Sequence, residues 1–120
     1  MSLYLIKKNN VITINRGDTV RIPIELTIGK FSDKKEVEIG DKDIIFFGLM
    51  ESRQHFECAL FKQEYTINDF DSEGRLILSL DPLDTMQLTS GVYYYELKLL
   101  KHSDDSITTL IPKTLFNIVD

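Results

Sequence analysis

Residues 76–99 read LILSLDPLDTMQLTSGVYYYELKL, two alternating runs joined by a short segment with the punctuation of a helix. In the first run Leu76, Leu78 and Leu80 alternate with Ile77 and Ser79; in the second Tyr93, Tyr95, Leu97 and Leu99 alternate with Tyr94, Glu96 and Lys98. Successive side chains of a strand point to opposite faces, so each run is expected to be a β-strand with one clearly apolar face. Between them Asp81 is a candidate N-cap, Pro82 suits the first helical position, Asp84 falls in the first turn and Gly91 ends the segment. The pattern predicts strand, helical corner of one to two turns, strand.

The rest of the chain supplies further strands. Val20, Ile22, Ile24, Leu26 and Ile28 alternate without a break against Arg21, Pro23, Glu25 and Thr27, so residues 20–28 are expected as one strand. Pro23 cannot donate to a ladder, which puts this strand at an edge or breaks its pairing there. Residues 11–15 read as a shorter strand, and Arg16-Gly17-Asp18 as the turn that joins the two like a hairpin. Residues 44–50 are nearly all apolar, as in a strand covered on both faces or a short buried helix, and Phe46, Phe47 and Gly48 favour the strand. Residues 108–119 form a last strand interrupted by Pro112, which predicts a bulge, after a polar turn at 102–106. Strands spaced by polar turns, with one helical corner, point to an all-β antiparallel sandwich of about seven strands.

Composition limits the function classes. The 120 residues are enough for one domain with one core and show no internal repeat or linker. The hydrophobic fraction of 42% and charged fraction of 28% are those of a chain that folds on its own. A net charge of −5 removes the overall attraction to phosphate behind non-specific nucleic-acid binding, so nucleic acid is not an expected partner. The single cysteine, Cys58, cannot make an internal disulfide or a four-cysteine zinc site. The apolar patch at residues 3–6 is too short for a signal-peptide core or a membrane span, so synthesis in the cytoplasm and no membrane partner are expected. Residues 1–10 are expected as an arm, flexible or ordered by a partner.

The stretch from Leu80 to Tyr95 resembles the corner of immunoglobulin-like sandwiches, where a helical turn feeds a strand that begins with a buried tyrosine. Tyr93 occupies that tyrosine's position, its hydroxyl expected to bond back to nearby backbone, and Tyr95 stands where antibody domains have a second cysteine. More widely, ITINRGDTVRIPIEL at 12–26, GDKDIIFFGLM at 40–50, DPLDTMQLTSGVYYYELKL at 81–99 and LFNIVD at 115–120 resemble the N-terminal domain of baseplate upper proteins of tailed phages of Gram-positive bacteria and related small prophage proteins. The resemblance runs from Val11 onward and rests on core and turn residues, so it transfers no site residue. It implies an immunoglobulin-like, non-enzymatic tail or baseplate module in the virion, made in the host cytoplasm, that binds other virion proteins, with homo-oligomerisation a further expectation. The alternative reading is a sandwich that binds carbohydrate or another small ligand.

No catalytic, metal or cofactor residue is assigned. Arg16-Gly17-Asp18 matches an integrin-binding tripeptide, but glycine and aspartate are also what a tight turn requires. Asp69, Asp71, Glu73 and Gly74 partly match the opening of a calcium loop, yet the closing position holds Leu80 in place of glutamate, which favours a polar hairpin turn. His55 and Cys58, three apart on a strand, point to opposite faces and make a poor base and nucleophile pair. Tyr94, facing away from Tyr93 and Tyr95, is the one of the three that a sugar could stack on. The carboxylates show no spacing suited to paired acid and base catalysis, and no phosphate loop or nucleophile elbow is present.

Overall fold

The computed structural model describes residues 4–6, 10–25, 27–28, 35–36, 39–51 and 59–120. Its strands are β1 (Tyr4–Ile6), β2 (Ile12–Asn15), β3 (Val20–Ile24), β4 (Thr27–Ile28), β5 (Lys35–Glu36), β6 (Ile44–Met50), β7 (Phe61–Tyr65), β8 (Leu76–Leu80), β9 (Gly91–Leu100) and β10 (Ile107–Val119). A short α-helix, α1 (Pro82–Met86), forms the corner between β8 and β9, and a 3-10 turn lies at Ile67–Asp69. The architecture is an all-β sandwich. One sheet has the order β1-β2-β10-β9-β6-β7, the facing layer is the pair β3-β8, and β4-β5 is a separate small ladder. The pairings β3–β8 and β6–β9–β10 are those of an immunoglobulin-type sandwich, with β7 extending the larger sheet. No helix of the described residues is long and apolar enough to cross a membrane.

Three features depart from the sequence reading. The described residues hold ten strands where about seven are expected, in part because β1, β4 and β5, of two or three residues each, are too short to display a period of two. The alternation over residues 20–28 is split: β3 ends at Ile24 and pairs with β8, while β4 pairs with β5. Residues 12–15 and 20–24 do not form a hairpin either, since β2 runs parallel to β10 in the larger sheet and β3 crosses to the other layer. A tight turn fixes where the chain reverses, whereas the layer each strand joins depends on which partner offers a free ladder. Within the stretch expected as an arm, Tyr4–Ile6 pair antiparallel with β2.

The expected period of two is met in the core. Leu76, Leu78 and Leu80 on β8 and Tyr93, Tyr95, Leu97 and Leu99 on β9 are all buried, with Ile45, Phe47 and Leu49 of β6 and Phe116 and Ile118 of β10 between the layers. Three rings form the centre: Phe47 and Tyr95 at 5.9 Å, Tyr95 and Phe116 at 5.8 Å, Phe47 and Phe116 at 6.2 Å between centroids. The last two pairs are edge-on, the geometry aromatic quadrupoles prefer. Burial pushes the Tyr95 hydroxyl above its ordinary range, and it donates to the Asn10 carbonyl at 2.6 Å. At the end of the same strand the Tyr93 hydroxyl donates to the Thr89 carbonyl at 2.7 Å, the tyrosine-corner bond. The two layers are also tied by Tyr65, whose hydroxyl donates to the Ser79 carbonyl at 2.9 Å.

Polar groups fix the corners. In α1 the Asp84 carboxylate accepts the Asp81 N–H at 2.9 Å, closing the first turn. At the start of β6, Asp43 is only 5% exposed. Its Oδ2 accepts from Gly40 N–H at 2.7 Å and Lys101 Nζ at 2.9 Å, and its Oδ1 from His102 N–H at 2.9 Å. This carboxylate staples the entry to β6 onto the turn between β9 and β10. The bonds from the Gly40 and His102 backbone, then Lys101, hold its pKa down to about 2. In β10 the pairing with β9 shifts register between Thr109 and Ile111 and again between Ile111 and Thr114, which places the expected irregularity around Pro112.

Candidate interaction surface

The residues singled out from sequence are built into turns. Gly17 has φ +83, a left-handed conformation that glycine adopts without Cβ strain, and its N–H donates to the buried Thr85 hydroxyl at 2.9 Å. Arg16 Nε meets Asp120 Oδ1 at 2.9 Å and its guanidinium donates to the Met86 carbonyl at 3.2 Å. The tripeptide is therefore docked on α1 and the end of β10.

The polar loop after β7 is likewise closed on itself. Asp71 Oδ1 accepts the Glu73 and Arg75 N–H groups, each at 2.9 Å, and Oδ2 accepts Arg75 Nε at 2.9 Å. Those bonds, the Arg75 N–H first, lower the Asp71 pKa. Asp69, the carboxylate that would open the calcium loop, accepts the Thr66 N–H at 2.8 Å, so it and Asp71 at the third position both already have protein donors. Among the described residues no group of three His, Cys, Asp or Glu side chains could hold a metal ion. His55 and Cys58 lie outside the described residues.

The three consecutive tyrosines divide as alternation predicts. Tyr93 and Tyr95 are buried, and Tyr94 is half-buried on the opposite face of β9. That outer face of the larger sheet carries a row of exposed apolar side chains. Register pairs Leu115 with Tyr94 and Asn117 with Val92, and Val119 follows on the same side of β10. Val92 is 58% exposed, Val119 41% and Leu115 37%. An open depression of about 500 Å³ adjoins them, lined by Val92, Val119, Thr13, Asn117 and the chain around Ser90 and Gly91. Asn117 Nδ2 donates to Thr13 Oγ1 at 3.3 Å across the β2–β10 pair, so the polar side chains here are partly turned to each other.

A surface with exposed apolar side chains side by side can exclude water against a partner. Sequence reading did not single out Val92, Leu115 and Val119. The available signal was an apolar residue at the outward position of an otherwise polar face, and that becomes visible only once the β9–β10 register is known. Comparison of the chain with known protein families, curated proteins and solved structures finds no match.

Proposed function

We propose that this chain is a non-catalytic module that attaches to other proteins through the outer face of its larger sheet, as a component of a phage or prophage tail or baseplate. The observation that carries the attachment reading is the exposed row Val92, Leu115 and Val119 on paired strands beside an open depression. Isolated exposed apolar residues are ordinary on a protein surface, whereas neighbours on one rigid face are the usual core of a binding patch. The tail setting is supported by the sequence resemblance and by nothing else. The carbohydrate alternative has weaker support, because Tyr94 does not line the depression.

The test is mass spectrometry of density-purified particles after prophage induction in the source bacterium, with the wild-type chain and a Val92→Glu variant. A stoichiometric chain in wild-type particles, lost on Val92→Glu while the purified variant stays folded, is the expected result. Well-formed particles that lack the wild-type chain would remove the tail reading. Normal incorporation of Val92→Glu would remove this face as the attachment surface.

A further inference from the structure

Strand β10 is much longer than the strand beside it. Its thirteen residues pair with β9 over most of their length, but β2 reaches only Phe116–Val119. Over residues 107–111 the side of β10 away from β9 has no neighbouring strand among the described residues. Ile107, Thr108 and Thr109 are all exposed, Ile107 at 64%.

The direction of the free backbone groups follows from the hairpin. Lys101 N–H donates to the Ser106 carbonyl at 2.9 Å, so Ser106 faces β9 with its backbone. In an antiparallel pair residues alternate between facing the partner and facing away. Thr108, opposite Leu99, therefore faces β9, and Ile107 and Thr109 direct their N–H and C=O groups to the open side.

Folded proteins normally protect such an edge with charge, proline or brevity. The other edges of the two main sheets follow that rule. β1 is three residues long, β7 carries Lys62 and Glu64, and β3 carries Arg21 and Pro23. On β8 the Ser79 carbonyl is taken by Gln63 Nε2 and the Tyr65 hydroxyl, both at 2.9 Å. The sequence Ile107-Thr108-Thr109-Leu110-Ile111 is uncharged and rich in β-branched residues, and protection begins only at Pro112.

We propose that this edge of β10 pairs antiparallel with the same edge of a second copy, about a two-fold axis through Thr108. Ile107 of each copy then lies opposite Thr109 of the other, and their outward N–H and C=O groups make four backbone hydrogen bonds. The two Thr108 side chains meet across the axis, and β7-β6-β9-β10 continues into its copy as one eight-stranded sheet. A neutral edge pairs with itself without like-charge repulsion, which matters for a chain of net charge −5. Such a contact is isologous and closes as a dimer. The proposal deepens the assembly reading and rests on it, but uses a different surface from the Val92 row.

The test is sedimentation velocity at concentrations up to roughly 100 µM, where a contact of micromolar affinity is populated. Wild type is expected to be dimeric. Thr108→Lys and Thr108→Glu each put like charges across the axis and raise the dissociation constant by at least about tenfold, while an equimolar mixture of the two restores the dimer. Thr109→Pro, which removes an outward N–H and no bond to β9, weakens the dimer and covers the case in which a Thr108 variant fails to fold. A monomeric wild type, a Thr108→Lys dimer as tight as wild type, or a mixture that stays monomeric would overturn the proposal. A dimer dispersed by Val92→Glu and untouched by Thr108→Lys would refute the edge while leaving attachment through the outer face standing.

Discussion

Replacing Asp43 by asparagine removes a charge and leaves the shape of the site nearly unchanged. The carboxylate is held at about 2 against an ordinary 3.8, by the Gly40 and His102 N–H groups first and by Lys101 next. At about 1.4 kcal/mol for each tenfold change in proton affinity, this difference corresponds to at most roughly 2.5 kcal/mol. Lys101 is 33% exposed and solvent screens its share, so Asp43→Asn is expected to cost about 1–2 kcal/mol at neutral pH. The sign of the pH dependence follows from the lowered value. A carboxyl bound more weakly to its proton when folded contributes its full stability above the unfolded pKa and loses it as pH falls through the folded one. The gap between wild type and variant should therefore be constant down to about pH 4, narrow between about 4 and 2, and close below that. Urea denaturation of both proteins at a series of pH values measures it. A gap that persists unchanged at pH 2, or no gap at pH 7, would show that the staple does not act through the charge of Asp43.

Three further outcomes are expected. Tyr93→Phe removes the hydroxyl that donates to Thr89 while keeping the ring, and should lower stability by about 1 kcal/mol in the same denaturation assay. Gly17→Ala forces a Cβ into a left-handed turn; its nearest contact, Met86 Cε at 3.6 Å, is ordinary, so the expected loss of about 1 kcal/mol is backbone strain alone, read as a lower melting temperature. Millimolar calcium should leave the melting temperature unchanged, because both Asp71 oxygens are occupied by Glu73 and Arg75 donors; a rise with calcium would mean that the loop reopens to bind it.

The parts of the fold that are legible in sequence are those specified within a few neighbouring residues. Asp81, Pro82 and Asp84 start the helical corner, Gly17 sets a turn, and alternation assigns Tyr93 and Tyr95 inward and Tyr94 outward, because a strand's period of two needs no information from the rest of the chain. Strand β7 escaped this reading for a local reason as well: Gln63 interrupts its apolar face, and its inward position makes sense only with the Ser79 carbonyl in place to receive its amide.

Everything that depends on a partner distant in sequence was decided by tertiary structure. Alternation over residues 20–28 looks continuous, yet the chain changes ladder after Ile24, since side-chain period records which face is buried and not which strand is adjacent. Asp43 reads as one more turn carboxylate until Lys101 and His102 arrive beside it, 58 and 59 residues later. The same is true of the candidate surfaces. Val92, Leu115 and Val119 become one row only through the β9–β10 register, and residues 107–111 become an open edge only because β2 stops at the far end of β10. Sequence alone determined the longer alternating strands, the helical corner and the side chains of those strands that face inward; the choice of neighbours, and with it every shared surface, depended on long-range backbone pairing that local side-chain chemistry does not encode.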